Sequence, residues 1–264
     1  MLNFISKKLV KSILWIALIL ALAIPLSITL KGELGNPTAK YIQSHLKEGA
    51  MPFENAPERN RYAQLISIAD YGTTTLPKEV AKTVLPDLGY HNGKFVGLYP
   101  PGFLALALPL YLLGKAFGVA QLATFSVTVI FTLASFLLIK NVSNKLGINS
   151  IASSTAGLLF LFGTSAWAYT TTIYQHSITS FILLLMYRLI LAKRSIFSSG
   201  FIWALGFFAF LLDSPNVFFV APILIYLLFE NSSIDVLSKK IKIRISKNVL
   251  LGTLFIVPIF SAWV

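Results

Sequence analysis

The 264-residue sequence has no cysteine, ten acidic residues, three histidines and only 12% charged residues. The absence of cysteine excludes disulfides, thiolate metal sites and cysteine nucleophiles. A soluble domain carries about 25% charged residues. The low charge here, with 56% hydrophobic residues and a mean hydropathy of +0.75, excludes a soluble globular enzyme. No run of strict alternation is long enough for a membrane barrel. There is no G-x-x-x-x-G-K-[ST], no G-x-G-x-x-G opening a helix, no H-E-x-x-H and no G-x-S-x-G. His45, His91 and His176 are too dispersed to form a metal cluster. Internal repeats and low-complexity tracts are missing too.

What remains is a set of apolar runs near the roughly 20 residues that cross a bilayer as a helix. The pattern predicts an all-α polytopic membrane protein. Ser12 to Leu30 is uncharged, follows Lys7, Lys8 and Lys11, and reads as a first span entering from the cytoplasm. A cleaved signal peptide is the rival reading, but the run exceeds the usual roughly 7–15-residue apolar region and further spans follow. From Lys31 to Pro101 the chain turns polar, with eight Lys/Arg and seven Asp/Glu, and reads as one large extramembrane loop. Within it, Tyr62, Leu65, Ile66 and Ala69 predict a helix over Glu58 to Tyr71, closed by Gly72. Pro101 to Phe117 reads as a helix along or dipping into the outer interface. The chain thus divides into residues 1–30, the N-terminus and first span; 31–118, the outer loop with interfacial helices; and 119–264, a helix bundle.

Within that bundle, Val119 to Ile139, Ile151 to Ala168 and His176 to Ala192 are the next spans. The apolar block Phe201 to Phe229 is interrupted by Asp213-Ser214-Pro215-Asn216. Read as a hairpin, the block places Lys239, Lys240, Lys242, Arg244 and Lys247 on the cytoplasmic side, as the positive-inside rule favours. Cytoplasmic segments then hold thirteen Lys/Arg against Glu230 and Asp235, while the outer loop nets +1. The +12 charge is therefore an orientation signal, not a nucleic-acid footprint. A seventh apolar run begins at Val249 and is still apolar at Val264, so the sequence reads as an N-terminal portion truncated in its seventh span. Asn141-Val142-Ser143 and Asn231-Ser232-Ser233 match the glycosylation pattern but fall in predicted cytoplasmic loops.

A charge within a span is a functional-site hypothesis by default. Asp213 is the one carboxylate inside the apolar blocks; the competing reading is a cap for the next helix, with Pro215 in its first turn. His176 stands at the outer start of the fourth span, where a hydrogen-bonded interface residue is the competing reading. The Gly-rich stretch 87–102 packs Asp87, His91, Lys94, Tyr90 and Tyr99 against the membrane boundary, although an ordinary solvated connection would look similar.

The order of several short motifs carries a resemblance. They are Arg59-Asn60-Arg61-Tyr62-Ala63-Gln64-Leu65, Tyr71-Gly72-Thr73, Asp87, Gly93-Lys94, Pro100-Pro101-Gly102-Phe103, Leu108-Pro109, Phe162-Gly163-Thr164, Tyr174-Gln175-His176 and the Gly200 to Pro215 segment. Together they resemble the polytopic GT-C glycosyltransferases, most of all the protein O-mannosyltransferase and aminoarabinose-transferase-like group of prokaryotes. The resemblance implies a GT-C-like transmembrane helix bundle with a large outer first loop. It also implies a polyprenyl-phosphate-linked sugar donor, inversion at the anomeric carbon, and a protein, lipid or glycan acceptor deprotonated by a carboxylate on that loop. Asp87 matches this carboxylate, with Glu33, just after the first span, as its rival. Arg61 and Lys94 are the candidate cations for the leaving phosphate, with plain surface-loop charge as the competing reading. Tyr99 stands where many relatives carry Lys before the Pro-Gly, a departure that puts a phosphate-binding cation at that position in doubt. Asp213 and His176 would face the same outer cavity.

The expected function is an inverting membrane glycosyltransferase of the plasma membrane, with a cytoplasmic N-terminus and residues 31–101 outside. No cofactor is fixed by the residues; a divalent cation, Mg or Mn, stays open. A transporter or flippase subunit using Asp213 and His176 as an ion or proton relay is the alternative, and a non-catalytic assembly subunit is a third reading.

Overall fold

The structure, a computed structural model, describes residues 2–48, 52–53, 55–193, 195–230, 233–235, 240–242 and 245–263. The chain is mostly helical, and its first helix, α1 (Leu2–Ile28), begins earlier than the predicted span. Leu22 on α1 meets Phe136 and Leu161 in a small apolar cluster completed by Leu18, Leu133 and Phe160. Ile13, Ile16, Leu20 and Ile24 repeat at helical spacing and stay exposed.

The polar stretch that follows is structured. It contains α2 (Ala39–Glu48), α3 (Ala56–Tyr71) and the single turn α4 (Lys78–Ala81). α3 starts two residues before the predicted Glu58 because Asn55 caps it, accepting from the Glu58 N–H at 3.4 Å. Gly72 ends α3 in the left-handed conformation at φ 62°. The predicted apolar positions Tyr62, Leu65 and Ile66 are buried. The Gly-rich stretch is not a plain connection but contains an antiparallel ribbon, β1 (Gly89–His91) with β2 (Lys94–Val96). Asn92 and Gly93, with φ of 48° and 78°, form its two-residue turn, the Asn-Gly pairing that positive φ demands.

α5 (Gly102–Ala116) buries Phe103, Leu104, Ala107 and Tyr111 and packs on α3 and on α6 (Ala120–Lys145). α6 is the one helix, among the described residues, long and apolar enough to cross a membrane; seven shorter apolar helices of 10–17 residues accompany it. The predicted span Ile151 to Ala168 is broken. α7 (Ser150–Gly163) stops where Thr164 adopts extended backbone and bonds the Phe160 carbonyl, and α8 (Ala166–Thr170) follows as a single turn. Gly157 lets α7 approach α6, since a Cβ there would come within 2.6 Å of the Phe136 ring.

α9 (His176–Ile190) packs on α6 and on α10 (Ile196–Leu212). After the 3₁₀ turn Ser214–Asn216, α11 (Val217–Phe229) returns along α10, with Gly206 facing Leu224. The predicted hairpin is therefore the shape of this block. A short ribbon, β3 (Ser233–Asp235) with β4 (Lys240–Lys242), precedes α12 (Lys247–Gly252) and α13 (Ile256–Trp263). Gly252 sits against the Gly200 backbone, so α10 and α12 touch through small residues. Arg194, Lys239, Arg244, the Asn231-Ser232 pair and Val264 lie outside the described residues.

Candidate functional site

Helix α3 organises the site. Asn60 and Gln64, one turn apart, lie on the same face. Gln64 donates to Asn60 Oδ1 at 2.8 Å, and Asn60 donates to the Asp87 carbonyl at 2.7 Å. Gln64 also reaches the Tyr99 carbonyl at 3.4 Å. Two amides thereby hold the backbone on either side of the ribbon. Gly97 passes directly over them, and a side chain there would collide with both Asn60 and Gln64. So held, Tyr99 donates its hydroxyl to Asp87 Oδ2 at 3.0 Å. The Asp87 carboxylate is half-buried, with a hydrogen-bond donor fixing its orientation.

The centre of the site is Arg61, which is only 1% exposed. Its guanidinium carbon lies 5.2 Å from the Tyr99 ring centre and 5.9 Å from that of Phe103, within cation–π range. Burial lowers its pKa from the ordinary value; the charge of Asp213 is the strongest opposing influence, followed by Tyr99 and Glu58. Nε and Nη1 have no hydrogen-bond partner among the described residues. A buried guanidinium with two open donors is suited to receive an oxyanion.

The turns before and after α9 and α10 complete the cluster. Gln175 donates to Asp213 Oδ2 at 2.6 Å. Asp213 makes no side-chain cap for the following 3₁₀ turn, so the capping reading gives way to a tertiary contact. Pro215 does occupy the first turn as expected. Asn55 donates to the Tyr174 hydroxyl at 2.6 Å, tying the start of α3 to the same turn. His176 is exposed, with ring centres 4.6 Å from Tyr169 and 5.8 Å from Tyr174, and lies within electrostatic reach of Arg61 and Asp213. A cavity of about 280 Å³ opens beside it, lined by the polar Tyr169, Thr179 and Asn216 and the apolar Phe160, Leu183 and Phe219 among others.

Glu58, one helical turn before Arg61, is fully buried. Burial pushes its pKa up from 4.5 to about 7, against the opposing influence of Thr172, the Asn55 backbone and the charges of Arg61 and Lys31. The sequence reading did not select Glu58, Asn60, Gln64 or Gln175. Their signal was faint: an acid at i−3 from Arg61 and two amides four residues apart on an otherwise polar helix.

The other two expected site residues stand apart. Lys94 is exposed at the ribbon turn, paired in register with His91, and no described contact joins it to Arg61. Glu33 is held through its backbone N–H, which donates to Gln121 at 2.6 Å; its charge acts on Tyr62. Among the described residues there is no group of three or more His, Asp or Glu side chains able to hold a metal ion. Asp87 and Asp213 are bonded to Tyr99 and Gln175.

No family model, curated protein or solved structure matches the chain.

Proposed function

We propose that this protein is a polytopic membrane glycosyltransferase of the GT-C kind, transferring a sugar from a polyprenyl-phosphate-linked donor to an acceptor on the outer face of the plasma membrane. The observation that carries the reading is Arg61: a buried guanidinium with two open donors, set among Tyr99, Phe103 and Asp213 where the polar loop meets the apolar helices. A lipid-phosphate donor has its polar head at such a boundary and its tail in hydrocarbon. The outward apolar residues of α1 and the exposed Phe218, Phe219, Ile225 and Phe229 of α11 support contact with lipid.

In this reading Arg61 stabilises charge growing on the leaving phosphate, a contribution that exists only as the glycosidic bond breaks. Asp87, oriented by Tyr99, takes the acceptor proton as the acceptor oxygen attacks the anomeric carbon. General-base assistance of this kind is typically worth 10²–10⁴-fold. Asp213 sets a negative charge within electrostatic reach of Arg61, and His176 lines the cavity beside α9. That cavity, with both polar and apolar residues in its lining, suits the junction of a sugar with a lipid tail.

Incubating membranes that contain the protein with labelled polyprenyl-phosphate sugars tests the proposal. Consumption of one label, with release of the free lipid phosphate, is the expected result. If every label survives while an ion or lipid crosses the membrane dependent on Asp213 and His176, the transporter alternative replaces it.

A further inference from the structure

A second cavity lies at the opposite end of α6 from the Arg61 cluster and takes no part in the chemistry above. Its volume is about 300 Å³, and it is lined by Trp15 of α1, by Leu137, Lys140, Asn141 and Asn144 of α6, and by Ser150 at the start of α7. The four α6 residues recur at i, i+3, i+4 and i+7, so one stripe of that helix faces the cavity. Lys140 is only 8% exposed, and its ammonium sits 3.1 Å from the centre of the Trp15 ring. Apart from Leu137, every described lining side chain can donate a hydrogen bond, and none of these six carries a carboxylate. Arg188 of α9 donates to Asn141 Oδ1. This leaves the Asn141 NH₂ as the group available to the cavity and places a second positive charge behind it.

We propose that this cavity binds a phosphate group, either the headgroup phosphate of an anionic phospholipid in the adjoining leaflet or that of a soluble phosphate compound. A sequestered cation, two amides and a hydroxyl match phosphate oxygens in charge and hydrogen bonding. Basic pockets between helices at a membrane boundary take anionic headgroups in the same way. The face of Trp15 keeps the ammonium in place beside the cavity rather than out in solvent. Asn149 caps α7 by accepting from the Ala152 N–H at 2.9 Å, which fixes Ser150 at the rim.

Trp15 serves as the reporter. Trp167, Trp203 and Trp263 are replaced by Phe, leaving Trp15 as the sole tryptophan of the four. Its fluorescence is then followed while brominated phosphatidylglycerol or brominated phosphatidylcholine is titrated into the detergent-solubilised full chain. The expected result is a preference of about fivefold for the anionic lipid, the contribution of roughly one lysine near a lipid surface. Lys140→Gln removes the preference while the melting temperature holds. If that variant does not fold, Asn144→Leu, which deletes one donor at the rim, weakens the preference in its place.

Excess inorganic phosphate separates the two sources. A lipid preference that phosphate leaves intact assigns the site to a phospholipid. A change in Trp15 emission on phosphate alone, together with loss of the lipid preference, assigns it to a soluble phosphate. Equal quenching by both lipids with no response to phosphate overturns the proposal, as does a preference that survives Lys140→Gln. Lys140 on Trp15 would then be a structural contact between α1 and α6.

Discussion

Gln175 donates its side-chain amide to Asp213 Oδ2 over 2.6 Å, joining the start of α9 to the break between α10 and α11. Asp213 is also the strongest charge countering the effect of burial on Arg61. The carboxylate therefore acts across the tertiary structure rather than along its own turn. Asp213→Asn keeps an acceptor for Gln175 but removes the negative charge that faces Arg61. Transfer activity is expected to fall about 10²-fold, the scale of one lost electrostatic contact in a site, with little change in melting temperature. Asp213→Ala loses the hydrogen bond as well and should cost about 1.5–3 kcal/mol of stability. Full activity in the Asn variant would remove Asp213 from the site.

Asp87 and Tyr99 make a second pair whose roles separate by mutation. Asp87→Asn should lower transfer by at least about 10²-fold, the lower range for a general base. Tyr99→Phe keeps the ring beside Arg61 and deletes only the hydroxyl that orients Asp87. A loss of about tenfold is expected, equivalent to one hydrogen bond to a charged group. Glu33→Gln is the matched control and should retain activity, because its described contact is made through the backbone. Single-turnover assays on labelled donor measure all three. An Asp87→Asn enzyme keeping more than about a tenth of wild-type activity is incompatible with the general-base role.

Glu58 predicts a pH dependence of stability. Its folded pKa is raised, from 4.5 to about 7, so the native state holds the proton more tightly than the unfolded chain. Between those values the folded protein binds more protons, and its stability falls as pH rises. The contribution is fully present below about pH 4.5 and has been lost above about pH 7. In magnitude it is up to about 3 kcal/mol. Glu58→Gln, neutral throughout, should show a flatter dependence of melting temperature between pH 5 and 8. Identical slopes for the variant and the wild type would mean that Glu58 is ionised across the whole range.

Membrane orientation can be read with single cysteines in this cysteine-free chain. Lys94→Cys, at the exposed ribbon turn, should react with an impermeant maleimide added to intact cells. Lys145→Cys, exposed at the far end of α6, should react only after permeabilisation. A cysteine beside Lys242 should behave like the latter. The reverse pattern would place the Arg61 cluster on the cytoplasmic side and exclude an outer-face acceptor.

Local sequence determined the helices and most of their ends. Uninterrupted apolar runs forced α6, α9, α10 and α11, the Asp213-Ser214-Pro215-Asn216 break made the hairpin, and Gly72 stopped α3. Each of these follows from neighbours within a turn or two, where backbone preference and side-chain polarity act directly. The resemblance drew attention to Asp87, Arg61, Tyr99 and Asp213, but their assembly was not legible from local spacing. Arg61 and Asp213 are 152 positions apart, and only the packing of α3 on α5 and of α5 on α10 brings them into one field. The same packing left Lys94 in solvent and buried Glu58, although both are charged residues of one polar loop. Burial and electrostatic coupling depend on separations in space, and chain topology had to be settled before either could be read.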